Sequence, residues 1–212
     1  MTIQDIERRL QHHTPGLLGV TDHCAVLVPL VEWAGDLYLL FEVRAKSLHR
    51  QPGEVCFPGG GMEPGESATE CAFRETWEEL GIPASAIRPV ARLDGVYHQG
   101  GFLTHPVLAQ VEAGAVLNLS ANPDEVEETF LVPLRFFETN PPEVYTYPLK
   151  PQVGADFPYA RIGFPEGYDW KAGRVEVPIW TYKGRPIWGI TGRIVLGLLE
   201  ALRCSNPPGG RC

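Results

Sequence analysis

The segment GGMEPGESATECAFRETWEELGI, residues 60 to 82, fixes the clearest element of the chain. Within it Ser67-Ala68-Thr69-Glu70 has the S-x-x-E form of a capping box, in which hydroxyl and carboxylate each satisfy a backbone N–H left free at a helix start. Gly81 supplies a C-terminal cap and Pro83 forbids continuation, so a helix of about four turns is predicted from Ser67 to Leu80. Helical spacing places Phe73, Trp77 and Leu80 on one stripe, with Thr69 and Thr76 beside them, as the expected core-facing side. Glu75, Glu78 and Glu79 stand at i, i+3 and i+4 and gather on the opposite side.

Carboxylates so placed repel one another, and the negative end of the helix dipole adds to the repulsion in the last turn. Local stability would favour lysine or arginine there. A divalent cation relieves the conflict, and carboxylate oxygens suit Mg2+ and Mn2+. A solvated acidic face is the usual account of such a cluster, but the neighbours argue for more. Ala68, Cys71 and Ala72 are small enough to admit a close approach, Glu66 and Arg74 form a bracing pair, and Pro58-Gly59-Gly60-Gly61 offers bare backbone groups to a metal or phosphate.

Outward from this helix, apolar β-rich runs at Ala25 to Val31 and Leu37 to Val43 flank Ala34-Gly35-Asp36, a hairpin signal. Further strands are expected at Ile87 to Leu93, Leu103 to Val111, Glu128 to Pro133 and Arg174 to Trp180. A short amphipathic helix is expected over residues 3 to 13 and a final helix from Thr191 to Arg203. The Pro-rich stretch from Asn140 to Pro165 reads as an irregular insertion or lid. Strands interleaved with helices and hairpins predict α/β layers around a mixed sheet. The expected division is an N-terminal helix and linker over 1–23, one domain over 24–204, and a frayed tail over 205–212.

The net charge of -8 repels polyanions, so nucleic acid is not an expected partner and a phosphate ligand must meet local cations or a metal. Five cysteines, Cys24, Cys56, Cys71, Cys204 and Cys212, lack zinc-ligand spacing and read as reduced thiols. With no signal-peptide core and no membrane-length apolar run, the expected location is the cytoplasm, with no membrane partner. His98 reads as an exposed loop histidine, with substrate contact the alternative, and Trp180, Tyr182 and Trp188 as core aromatics, with stacking on adenine the alternative.

Gly60, Glu66, Arg74, Glu75, Glu78, Glu79, Gly81 and Ile82 match the pattern G-x5-E-x7-R-E-U-x-E-E-x-G-U, with Thr76 at the first bulky aliphatic position U. The chain thus resembles the Nudix family. That resemblance implies an α/β/α sandwich around a mixed β-sheet, and Mg2+- or Mn2+-dependent hydrolysis of a nucleoside diphosphate linked to another group. Carried over by position, Glu75, Glu78 and Glu79 would bind metal, with the Gly59 carbonyl a further ligand, while Arg74 and Glu66 brace them. The catalytic base would come from Glu75 or from a later glutamate, Glu125, Glu127 or Glu128.

Residues 44–60, RAKSLHRQPGEVCFPGG, also resemble the extra motif of the coenzyme A pyrophosphatase subfamily. His49 stands where that motif has arginine, and Leu40-Phe41-Glu42 departs from its L-L-T. The implied substrate-binding residues are Arg44, Lys46, His49, Arg50, Phe57, Gly59 and Gly60. The cations among them suit the additional 3′-phosphate of coenzyme A. The expected reaction splits coenzyme A or its thioesters into adenosine 3′,5′-bisphosphate and a 4′-phosphopantetheine product. ADP-ribose, NADH or another nucleotide derivative is the alternative substrate, a catalytically silent nucleotide-binding module the alternative role, and a homodimer the expected assembly.

Overall fold

In the computed structural model, residues 1–203 are described, and the Cys204 and Cys212 thiols and the expected tail over 205–212 lie outside them. Strand β1 (Asp22–Trp33) turns back into β2 (Asp36–Arg44) with Trp33 opposite Asp36. Ala34 and Gly35 form the two-residue loop, both at positive φ (52° and 84°), the geometry of a type I′ hairpin. The chain continues through β3 (Val55–Cys56) and β4 (Gly59–Gly61) into helix α2 (Ala68–Leu80), having begun with helix α1 (Ile3–Leu10). Strands β5 (Ile87–Arg92), β6 (Val96–His98) and β7 (Phe102–Val111) follow, then α3 (Ala113–Leu117), β8 (Val126–Pro133) and α4 (Leu134–Thr139). A separate sheet of β9 (Glu143–Leu149), β10 (Gly173–Tyr182) and β11 (Arg185–Ile187) precedes α5 (Gly189–Arg203).

The main sheet runs β3-β2-β1-β7-β5, with β4 on β1, β6 on β7 and β8 on β2. Only β1 and β7 pair in parallel; the other pairs of this sheet are antiparallel, so the sheet is mixed. Alternation along the strands divides the apolar residues between two cores. Ala25, Leu27 and Leu40 pack with the buried side of α2, whereas Val28, Leu39 and Phe41 pack with Ile194, Val195 and Leu198 of α5. The result is the expected α/β/α sandwich.

Three expectations need correction. The buried side of α2 is Ala68, Cys71, Ala72, Thr76 and Leu80; of the expected stripe only Leu80 is fully buried, and Trp77 is 56% exposed. Small side chains face the sheet because β4 passes close beneath the helix, with the Cys71 thiol 3.5 Å from the Gly61 carbonyl. Glu79 consequently lies within the buried arc rather than opposite it. The Asn140–Pro165 region is not wholly irregular: Glu143–Leu149 forms β9 along β10, because Val144, Tyr145, Thr146 and Tyr147 favour extended backbone despite the surrounding prolines. The first helix stops at Leu10 rather than residue 13, and its Ile3, Ile6 and Leu10 are exposed. Among the described residues Cys24, Cys56 and Cys71 are free thiols, and no helix is long and apolar enough to cross a membrane.

Candidate active site

Helix α2 is pinned at both ends as its sequence requires. Ser67 accepts from Glu70 N–H, the Glu70 carboxylate accepts from Ser67 N–H at 2.8 Å, and Gly81 at φ 68° donates its N–H to the Trp77 carbonyl. These anchors allow an otherwise unfavourable cluster in the last turn.

At its centre is Arg74. Its guanidinium donates to both oxygens of Glu66 (2.9 and 3.1 Å), to Glu75 (2.8 Å), to Glu78 (3.2 Å) and to the Gly61 carbonyl (3.1 Å). The Arg74 bonds hold the Glu66 carboxyl down at about 2. Burial instead pushes Glu75 up, against the pull of Arg74. Among the described residues no three acidic, histidine or cysteine side chains converge on one point. The Arg74 cation instead holds Glu66, Glu75 and Glu78 together.

Glu79 faces inward and is 4% exposed; its Oε2 accepts from Gly59 N–H at 2.8 Å. Gly59 (φ 155°) leaves no room for a side chain, since a Cβ would lie 2.3 Å from the Ala25 carbonyl oxygen. At Gly60 a Cβ would lie 2.5 Å from the Glu75 carboxyl carbon. The glycines therefore let β4 run directly against two of the helical acids. Burial raises the Glu79 pKa, and the nearby Glu42 carboxylate raises it further.

Beside Gly59 and Gly60 a cavity of about 560 Å³ opens between the sheet and α5. Arg44 and Arg50 stand on its wall, with Cys24, Phe102, His98 and Trp188 among the other lining residues. Arg44 Nε donates to the Arg50 carbonyl at 3.4 Å, tying the two ends of the basic loop together.

The NUDIX domain family matches residues 22–147, which contain the cluster, the glycine strand and the basic loop. The chain belongs to the Nudix family. It is 40% identical over 134 residues to the mouse (Mus musculus) peroxisomal coenzyme A diphosphatase NUDT7, covering 63% of this chain and 55% of that protein. With the human (Homo sapiens) mitochondrial coenzyme A diphosphatase NUDT8 it shares 31% identity over 180 residues, covering 84% of this chain and 68% of the relative. A crystal structure of a C. elegans Ap4A hydrolase binary complex aligns with a TM-score of 0.46 at 20% identity, covering 56% of this chain and 85% of that one. The matched segment spans about half the length of the mouse relative.

The Nudix box thus begins at β4 and runs through α2, bringing Glu66, Arg74, Glu75, Glu78 and Glu79 into one neighbourhood with Gly59 and Gly60. The basic loop is less uniform. Arg44 and Arg50 reach the cavity, whereas Lys46 is held by Glu127 at 3.1 Å and His49 is exposed and does not line it. Phe57 borders the cavity but is 3% exposed and stacks on Phe41 at 4.7 Å, so its chief contact is the core. Glu128 engages Arg185, whose guanidinium lies 4.9 Å from the Phe130 ring centre. Glu125, by contrast, adds its negative charge to the field on Glu75, Glu79 and Glu42.

Sequence reasoning overlooked Glu42. The signal was present: Glu42 follows Leu40 at a spacing of two in an apolar strand, so both face α2. Trp188 also departs from expectation, being 41% exposed and lining the cavity, while Trp180 is buried as expected and donates to the Asn140 carbonyl at 2.8 Å.

Proposed function

We propose that this chain hydrolyses the diphosphate bridge of coenzyme A or an acyl-coenzyme A with the help of Mg2+ or Mn2+. Adding water across the P–O–P bridge gives adenosine 3′,5′-bisphosphate and (acyl-)4′-phosphopantetheine. The observation that carries this reading is the cavity lined by Gly59, Gly60, Arg44 and Arg50, with Glu79 and Glu75 of the helix packed against those same two glycines. The coenzyme A diphosphatase relatives support the same substrate class.

The donor set fits a hard divalent cation. It is rich in carboxylate oxygen, it includes a deeply buried glutamate, and the buried Oε2 of Glu42 nearby has no hydrogen-bond partner. Glu75, Glu78 and Glu79 are the residues to hold the ion, with the Gly59 carbonyl as a further donor. Such an ion would neutralise diphosphate charge and make an attacking water more acidic. Arg74 keeps Glu66, Glu75 and Glu78 in order. Arg44 and Arg50 supply charge-assisted hydrogen bonds to phosphate oxygens, including the 3′-phosphate. Glu125 accepts the water proton in this scheme; its charge acts on the cluster, whereas the Glu128 carboxylate is occupied by Arg185.

The deciding experiment incubates the protein and Mn2+ with coenzyme A, acetyl-coenzyme A, dephospho-coenzyme A, ADP-ribose and NADH, and identifies products by mass spectrometry. Coenzyme A compounds should turn over fastest. Equal or faster turnover of dephospho-coenzyme A removes the assigned role of the arginines. Metal-dependent binding without product over hours points instead to a nucleotide-binding module.

A further inference from the structure

Among the described residues Glu42 is the most deeply buried acid, with 0% of its surface exposed, in the middle of β2. It stands opposite Cys56 on one neighbouring strand and Thr129 on the other. Its Oε1 accepts the Cys56 thiol hydrogen at 3.2 Å. Its Oε2 is the one buried side-chain nitrogen or oxygen among the described residues without a hydrogen-bond partner. Leaving such a polar atom unpaired is costly, the more so when it is charged. A glutamate used only to receive the Cys56 hydrogen would not require its second oxygen.

The face of β2 on which Glu42 stands gives that second oxygen a purpose. Leu40 and Glu42 share the sheet face covered by α2, as Leu40 packs with the Ala68, Cys71 and Ala72 side of the helix. From this face Glu42 supplies the strongest charge acting on Glu79, and Glu75 and Glu125 lie within electrostatic range of both. Arg44 is the cation whose field reaches Glu42, but it makes no bond to the free oxygen and instead lines the cavity. Glu42 on the sheet and Glu79 on the helix thus lie within electrostatic range of each other, on the face of β2 that α2 covers.

We propose that Glu42 is a further carboxylate of the divalent-cation site, completing from the sheet the donor set that α2 presents from the helix. This rests on the reading of the α2 acids as a cation site. The role of Glu42 is to add an anionic oxygen beside Glu79, so that an ion held there meets carboxylates on both sides. Cys56 fixes the other oxygen and thereby the orientation of the carboxylate.

Mn2+ affinity, measured by the electron paramagnetic resonance signal of free Mn2+ without substrate, tests this directly. Glu42→Gln preserves shape and the Cys56 bond but removes the charge, and it should weaken Mn2+ binding roughly 10- to 100-fold. Circular dichroism should show an unchanged fold. Affinity within twofold of the wild type overturns the proposal. Glu79→Gln separates the two levels of inference: if it weakens Mn2+ while Glu42→Gln does not, only the Glu42 assignment fails. If neither substitution changes the affinity, the cation site on α2 fails as well. Should Glu42→Gln not fold, anomalous diffraction from wild-type crystals grown in manganese decides instead. An ion within bonding reach of Glu42 Oε2 supports the assignment, and an ion bound only by α2 residues overturns it.

Discussion

Neutralising Glu42 should change how the stability of the metal-free protein depends on pH. Burial raises the Glu42 pKa from the usual 4.5 to about 7, and its largest opposing influence is the Cys56 hydrogen bond. In the unfolded chain the group ionises near 4.5, so between that value and about 7 the folded state holds a proton that the unfolded state has released. Stability from this proton is complete below 4.5 and is lost as pH rises through the window. At 1.36 kcal/mol per unit, the loss from Glu42 is roughly 3 kcal/mol. Glu79, also raised by burial, works in the same direction and extends the loss to higher pH.

Urea unfolding in EDTA, followed by circular dichroism at steps from about pH 5 to pH 8, measures this term. The difference between Glu42→Gln and wild type is the informative quantity. His105, whose pKa is lowered chiefly by burial, contributes with the opposite sign but equally in both proteins. The variant should gain on the wild type by a few kcal/mol across the range. Parallel stability curves would refute the buried-charge account. Saturating Mn2+ should stabilise the wild type more at pH 8 than at pH 5, because it binds the ionised folded cluster and little else.

Other consequences are open to direct measurement. Glu79→Gln should lower turnover of the best substrate by roughly 100-fold or more while raising metal-free thermal stability, since a buried acid is removed along with a cation donor. Gly60→Ala should impair catalysis, because the new Cβ would lie 2.5 Å from the Glu75 carboxyl carbon; activity assays and a crystal structure would reveal a displaced Glu75. Arg44→Gln should raise KM for coenzyme A roughly tenfold, the value of a lost charged hydrogen bond, with a smaller effect on dephospho-coenzyme A. Ala34→Asn should stabilise the fold by about 1 kcal/mol in urea titrations, because asparagine tolerates the left-handed backbone found at that hairpin position (φ 52°).

Local signals accounted for much of what could be read in advance. The capping box, the glycine stop and the strand alternation each act within a few residues, and α2, β1 and β2 formed close to their expected limits. The facing of α2 was harder to anticipate because it depends on a tertiary contact. Glycines in β4 bring that strand so near the helix that alanines and a cysteine, not Phe73 and Trp77, belong between them. The same approach draws Glu79 inside, an outcome that hydrophobicity alone opposes. Partner choice on the surface was likewise illegible: nothing local announces that Lys46 pairs with Glu127 or Arg185 with Glu128, since those residues meet only after the sheet is assembled.

The parallel register of β1 on β7 has a consequence for how the molecule is made. Asp22 lies opposite Phe102, so the sheet cannot close at its centre until about 80 residues of intervening chain have been gathered in. Closing a loop of that length carries an entropic cost of about 4 kcal/mol before any pairing repays it. The β1–β2 hairpin and the capped α2, both local, are available early as a scaffold on which β7 can dock. Folding speed should therefore be governed by the arrival of β7, and mutations at the β1–β7 seam should slow folding, while changes in the β9–β10 hairpin should act mainly on the rate of unfolding.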